Sequence, residues 1–307
     1  MEQIKTLYII GNGFDLHHGI HSSYADFREW LEYCHPMLYN EFVDIYGEQV
    51  LNGDWWADFE NNLGKLDFIR FYRLYHTETP EKVWKEAIKH NTTRLPADPI
   101  WQPAGQRLRS LYLFLDVAMK LWIRMITMTI PYSNRIILPQ ERAFFITFNY
   151  TSVLEHIYKV PKEKILHIHG CLESNEDLIF GHSESAMLLE HQFREKGLWK
   201  PDSHDTQEIE LAFSSKGKNP YEYIYKNIEI FQSLTDVQTV NVYGLSFSDI
   251  DMPYLTQINS IAPNANWEVS YYGSDGKKII LNALKNNIYW KNPPIDFIKL
   301  EDLVIEK

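Results

Sequence analysis

Four short apolar runs in this chain each stop on a glycine-rich or polar signature, and that repeated pairing most narrows the folds open to it. Leu7–Ile10 runs into Gly11-Asn12-Gly13-Phe14-Asp15, and Ala143–Thr147 into Phe148-Asn149-Tyr150-Thr151. Lys164–Ile168 runs into His169-Gly170, and Val237–Tyr243 into Gly244-Leu245-Ser246. Short runs that are apolar at successive positions read as strands buried on both faces, which is the habit of parallel sheets. Helical periodicities separate them, so the expected class is α/β, a Rossmann-like parallel sheet flanked by helices. In such a sheet the carboxyl ends of the strands share one edge, and ligands bind there. The four signatures are therefore expected to converge on one site.

The first of them is the richest. Gly11 and Gly13 permit a sharp turn and a close backbone approach, and a helix start follows, so the stretch fits an anion cradle for a diphosphate. The spacing is not the dinucleotide fingerprint, because Leu16 stands three after Gly13 and the next glycine is Gly19; a plain tight turn is the alternative. Asp15 fits either a ribose-hydroxyl acceptor or a cap of the following turn. Ser23 with Asp26 is an N-terminal capping signature ahead of Phe27, Trp30 and Leu31, which share a helical face.

At the other strand ends, Asn149 offers an amide donor and acceptor, or forms a turn. His169 offers an imidazole that titrates near neutrality and can take a proton, or is a structural residue. His167 is the weaker candidate; it shares a face with His169 only if the strand continues through both. Ser246 ends the fourth signature, while Asp251 reads most plainly as a helix cap. His182 and Ser183 line the pocket or form a turn. Trp56, Phe59 and Leu63 have core spacing, which makes the Glu60 carboxylate beside them a further candidate. No metal is expected, since no His-x-x-x-His pair or cysteine cluster is present.

The chain has 307 residues and a net charge of −11. That balance argues against general binding to nucleic acid or to anionic membranes, both of which need clustered Lys and Arg. Its two cysteines, Cys34 and Cys171, make neither a zinc ribbon nor a secreted disulfide scaffold. The most apolar segment, 111–130, carries Asp116, Lys120 and Arg124 every fourth residue, so it reads as a helix with a polar stripe and not a membrane span. With no leader expected, the location expected is cytoplasmic. Pro36 reads as a break after the first helix, 91–105 as a Pro-rich connector, 106–130 as a long helix, and 178–181 as a further short strand. Helices are expected near 205–213, 221–234 and up to 286, with strands at 267–272 and 295–299. The expected organisation is an α/β domain of 1–36 and 131–307 interrupted by a mostly helical insertion, 37–130.

Gly11-Asn12-Gly13-Phe14-Asp15-Leu16, Gly19-Ile20 and Ser23-Tyr24-Ala25-Asp26-Phe27 resemble the opening of the AbiH-like bacteriophage abortive-infection proteins. Phe148–Thr151, His167–Gly170 with Phe180-Gly181-His182, Tyr243–Ser246 and Asp251 extend the resemblance along most of the chain, and a Trp-x-Asp-Phe-Glu stretch ending at Glu60 belongs to it. The same series is more distantly similar to the sirtuin fold, in which comparable segments surround NAD. The counterparts here are Gly11–Gly13, Gly19–Arg28, Thr147–Asn149, His169-Gly170 and Gly244–Ser246. That resemblance implies NAD as ligand or substrate, Asn149 as the group that orients the nicotinamide ribose, His169 as base, and Ser246 as a ribose or phosphate contact. The four-cysteine zinc module of sirtuin deacetylases has no counterpart, so deacetylation is not expected. What remains is an antiphage effector that hydrolyses the nicotinamide–ribose bond, with a phage product as its trigger and oligomer formation open. A nucleotide-sensing module without catalysis is the competing reading. A nuclease-like toxin ranks last, lacking a metal-carboxylate cluster and a basic face.

Overall fold

The computed structural model describes residues 3–71, 104–126, 134–172, 178–183 and 204–305. The chain divides into two compact units. The first comprises Met1–Asp26, Lys120–Ile179 and Asn219–Lys307, and the second Phe27–Met119 with Phe180–Lys218. The expected connector over 91–105 lies almost wholly outside the described residues.

The first unit is built on six strands: β1 (Thr6–Ile10), β2 (Ala143–Thr147), β3 (Ile165–His167), β4 (Thr239–Tyr243), β5 (Asn266–Ser270) and β6 (Ile295–Ile298). All pairings are parallel and the order is β3-β2-β1-β4-β5-β6. This is the doubly wound α/β order, in which direction reverses between β1 and β4 and opens a crevice at their carboxyl ends. Alternate residues divide the two faces. Leu7, Ile9, Ile146, Val240, Val242, Trp267 and Val269 enter one apolar core with Tyr254, Leu255, Ile258, Ile280 and Leu284. On the other face Tyr8 stacks on its register neighbour Phe145, with ring centroids 4.8 Å apart.

Among the described residues the α-helices are α1 (Asn12–His17), α2 (Tyr24–Cys34), α3 (Pro36–Tyr46), α4 (Gly53–Ala57), α5 (Phe59–Leu63), α6 (Ala104–Met125), α7 (His204–Ser214), α8 (Pro220–Lys226), α9 (Ile228–Gln232), α10 (Met252–Ile261) and α11 (Gly276–Asn286), with a single turn at Val153–His156. α2 starts where its capping residues indicate: Asp26 N–H donates to Ser23 Oγ (3.1 Å) and Ser23 N–H to Asp26 Oδ2 (2.9 Å). Pro36 does not only end α2. It opens α3, because the first helical position needs no amide donor. The expected helix over 221–234 is divided at Asn227, which separates α8 from α9. The strand expected at 178–181 does not form. The segment makes one amide bond, Ile179 to the His169 carbonyl, and His182 forms an isolated bridge with Gly217. Among the described residues no helix is long and apolar enough to cross a membrane.

Trp56, Phe59 and Leu63 are core residues of the second unit, with Trp56 and Phe59 stacked at 5.1 Å.

Candidate functional site

The β1 and β4 loops meet backbone to backbone at the crevice. A Cβ on Gly11 would lie 2.6 Å from the Gly244 carbonyl oxygen, and one on Gly13 2.8 Å from Gly244 Cα. Gly244 itself has φ 70, and a Cβ there would fall 2.0 Å from the Phe14 nitrogen. These glycines are the only residues that let the two turns touch. The contact also uses their amides: Gly11 N–H donates to the Tyr243 carbonyl (2.9 Å), Gly13 N–H to Gly244 (2.8 Å) and Phe14 N–H to Gly11 (2.9 Å). Of the Gly11–Gly13 stretch expected to hold a diphosphate, the Gly11 and Gly13 amides are thus engaged with protein carbonyls, as is the Phe14 amide that follows. Asn12 ties the loop to Ser22 through two hydrogen bonds, and the Phe14 ring is fully buried beside His18 and Tyr158. Past β4, Phe247 holds φ 58, a left-handed conformation that a bulky residue adopts only under constraint. Ser246 is exposed, and its hydroxyl approaches Asp251 Oδ2 at 3.4 Å, which Ser248 also reaches at 2.8 Å. Asp251 therefore accepts from neighbouring hydroxyls and makes no side-chain cap to α10.

A buried polar network lies on the β2 side of the same edge. Asp15 is 1% exposed. Thr151 Oγ1 donates to its Oδ2 at 2.6 Å, while Oδ1 makes no hydrogen bond of good geometry. Burial pushes the carboxyl up to about 6, against opposing influences from Thr151, Asn149 and the charge of His167. Asn149 donates from Nδ2 to the Gly11 carbonyl (3.1 Å), and its buried Oδ1 has no partner. The sheet order explains the meeting: β2 lies between β1 and β3, so the residue just past its end reaches both neighbours.

On the β3 side, His167 Nδ1 lies 3.3 Å from the Asn149 carbonyl and Nε2 2.8 Å from Glu155 Oε1. Cys171 Sγ stands 3.4 Å from Ser152 Oγ. Burial alone would lower the His167 imidazole, but hydrogen bonds and charges from Cys171 and Glu155 outweigh it and carry it up to about 10. Burial raises Glu155, and His167 more than offsets that, leaving the carboxyl below its ordinary range.

β3 ends at His167, so the alternation that would align His169 with it stops. Ile168 enters the core, Gly170 turns the chain with φ 80, and the His169 ring lies edge-on to Phe148 and Tyr254. His167 is an imidazole bonded to the Asn149 backbone. Little in the chain's pattern points to Glu155 and Cys171; the spacing His167-x-x-x-Cys171 around a glycine is the one signal present.

Arg28, Glu60 and His182 belong to the second unit. Arg28 donates to Tyr39 Oη (3.3 Å) and lies 3.7 Å from Glu32. Glu60 accepts from Lys218 Nζ at 2.8 Å, with the lysine side chain only 2% exposed. His182 is fully buried and stacks on Phe213 at 4.1 Å. Each has a packing or pairing role in that unit.

A comparison with curated proteins returned no match. The family model for bacteriophage abortive infection AbiH matches residues 7–271, a span that includes every strand end described above except that of β6, and the chain belongs to that family.

Proposed function

We propose that this abortive-infection protein hydrolyses NAD+ at the nicotinamide–ribose bond, at the carboxyl edge of β1 and β2. One observation carries the reading: a buried carboxyl, Asp15, held up to about 6 beside an amide, Asn149, whose carbonyl oxygen is buried and unpartnered. A carboxyl tuned to that range serves as a base near neutral pH. The motif resemblance to NAD-binding sirtuins supports the choice of nucleotide.

In the proposed reaction the C1′–N bond breaks with its electron pair passing to the pyridinium nitrogen, so nicotinamide leaves neutral. Water adds to C1′, and its proton goes to the Asp15 carboxylate and then to solvent. Asn149 orients the ribose, and Asp15 stabilises the positive charge that develops on the sugar. Gly11–Gly13, Gly244 and Ser246 border the nucleotide; with the Gly11, Gly13 and Phe14 amides engaged, the diphosphate is held by other groups of the edge. His169 is the alternative base.

The test is nicotinamide release from NAD+ by the purified chain, with binding followed in the same samples. Loss of turnover in Asp15→Asn and Asn149→Ala, with binding retained and His169→Ala active, supports Asp15 as base. Loss in His169→Ala with Asp15→Asn active transfers the role to His169. Binding with no turnover in any condition favours the sensing module, and neither binding nor turnover refutes the NAD reading.

A further inference from the structure

We propose that Glu155, His167 and Cys171 form a transition-metal site of the zinc type at the carboxyl ends of β2 and β3. Glu155 lies on the helical turn Val153–His156, His167 is the last residue of β3, and Cys171 follows the left-handed turn at Gly170. A carboxylate oxygen, a ring nitrogen and the sulfur from these three lie within 4.8 Å of one another. Zinc bonds of about 2.0–2.3 Å place tetrahedral ligands roughly 3.3–3.8 Å apart, so an ion would open the 2.8 Å His167–Glu155 pair slightly while the widest separation closes.

Two further observations point to a cation. Glu155 Oε2 is buried without a hydrogen-bond partner, on a side chain 9% exposed. A carboxylate oxygen taken out of water and left unpaired is costly, and a cation would satisfy it. His167 is also oriented as metal ligands are: Nδ1 lies against the Asn149 backbone carbonyl while Nε2 turns to Glu155. Ligating histidines commonly donate their other ring N–H to such a carbonyl, which fixes the tautomer. The donor set decides the class of ion. Thiolate, imidazole and carboxylate together suit zinc, whereas magnesium and calcium prefer oxygen alone.

Three protein ligands leave a fourth position for water, with Ser152 Oγ beside the sulfur. The ion would fix the end of β3 and, through His167, the Asn149 carbonyl. The proposal does not rest on NAD hydrolysis, because metal binding is read without turnover.

The test uses the full chain. Zinc content is measured after purification, and Co2+ is titrated into chelator-treated protein. The expected result is about one zinc per chain, and a cobalt complex with a thiolate-to-metal charge-transfer band. Cys171→Ser abolishes that band, and Glu155→Gln keeps it while weakening Co2+ binding by at least ~10-fold. Circular dichroism checks folding, and Glu155→Gln carries the test if Cys171→Ser fails to fold. Absence of both metal and charge-transfer band overturns the proposal, as does a cobalt spectrum unchanged in Cys171→Ser. Absence of metal with Cys171 alkylated faster than the exposed Cys34 would overturn it in favour of a thiol nucleophile.

Discussion

Replacing Asp15 by Asn separates a functional carboxyl from a structural one. Burial moves the Asp15 carboxyl from its ordinary 3.8 to about 6 in the folded chain. The group is raised, so the usual carboxylate case is inverted. Below pH 3.8 both states are protonated and the shift has no effect. Between 3.8 and 6 the unfolded chain loses its proton first, and stability falls as pH rises. Above 6 both are ionised, and the folded state carries the full cost, about 3 kcal/mol at 1.36 kcal/mol per pH unit. Asn mimics the neutral acid and can still accept from Thr151. Asp15→Asn is therefore expected to exceed the wild type by up to ~3 kcal/mol at pH 7.5, by about half that at pH 5, and by only about 0.5 kcal/mol near pH 4. The assay is urea denaturation of both proteins across that range. With a slope on the order of 3 kcal/mol/M, the midpoints differ by roughly 1 M at pH 7.5. A variant less stable than wild type at pH 7.5 would mean that Asp15 holds the turn together, and a gap independent of pH would show that burial does not strain its ionised form. Greater stability with lost turnover is the pattern expected where a site keeps a charge the fold would discard.

If Asp15 is the base, kcat/KM for NAD+ falls tenfold per unit below about pH 6, and a pH–rate profile flat from 5 to 7 refutes that role. Gly244→Ala puts a Cβ 2.0 Å from the Phe14 nitrogen on a residue with φ 70; a loss of at least ~2 kcal/mol in unfolding free energy is expected. In the second unit, Lys218→Met leaves Glu60 without its 2.8 Å partner, at an expected cost of about 3–5 kcal/mol by denaturation, and the double change with Glu60→Met recovers most of it. Tyr112→Phe removes the 2.8 Å bond between the buried hydroxyls of Tyr46 and Tyr112, for about 1–2 kcal/mol in the same assay.

The parts of the fold that could be read in the sequence are those whose signal is local. β1, β2 and β4 are covered on both faces and so appear as mostly apolar runs, with Asn241 the one amide inside β4. α2 was legible because Ser23 and Asp26 satisfy its first amides with neighbours three residues apart. The run at 178–181 is as apolar as a strand but pairs with no strand among the described residues, and pairing is a tertiary fact. The site divides in the same way. That signatures at four strand ends share one edge follows from parallel order alone. Which way the Gly11 and Gly13 amides point does not, because a glycine pair that receives a ligand and one that receives another loop have the same composition. That His167 groups with Glu155 and Cys171 is not legible in the sequence for a related reason. They come from a helical turn, a strand end and a glycine turn, and only the pairing of β3 with β2 closes them into a group.

The sheet order gives Asn149 its central position. β2 has β1 on one side and β3 on the other, so the first polar side chain past its end can bond toward β1 while its backbone carbonyl faces β3. Asn149 does both: its amide reaches Gly11, and its carbonyl receives His167. One hydrogen bond thereby links the Glu155–His167–Cys171 group to Asn149, and a second links Asn149 to the β1 turn. That turn has little slack, since Gly11 and Gly13 already touch Gly244 without room for a methyl group. The β3 end, Asn149 and the contact between the β1 and β4 turns are thus joined by a continuous set of hydrogen bonds and close backbone contacts. The same burial that raises Asp15 and leaves oxygens of Asn149 and Glu155 without partners is what makes this edge costly to the fold, and the edge of a parallel sheet where ligands bind is where such a cost is retained.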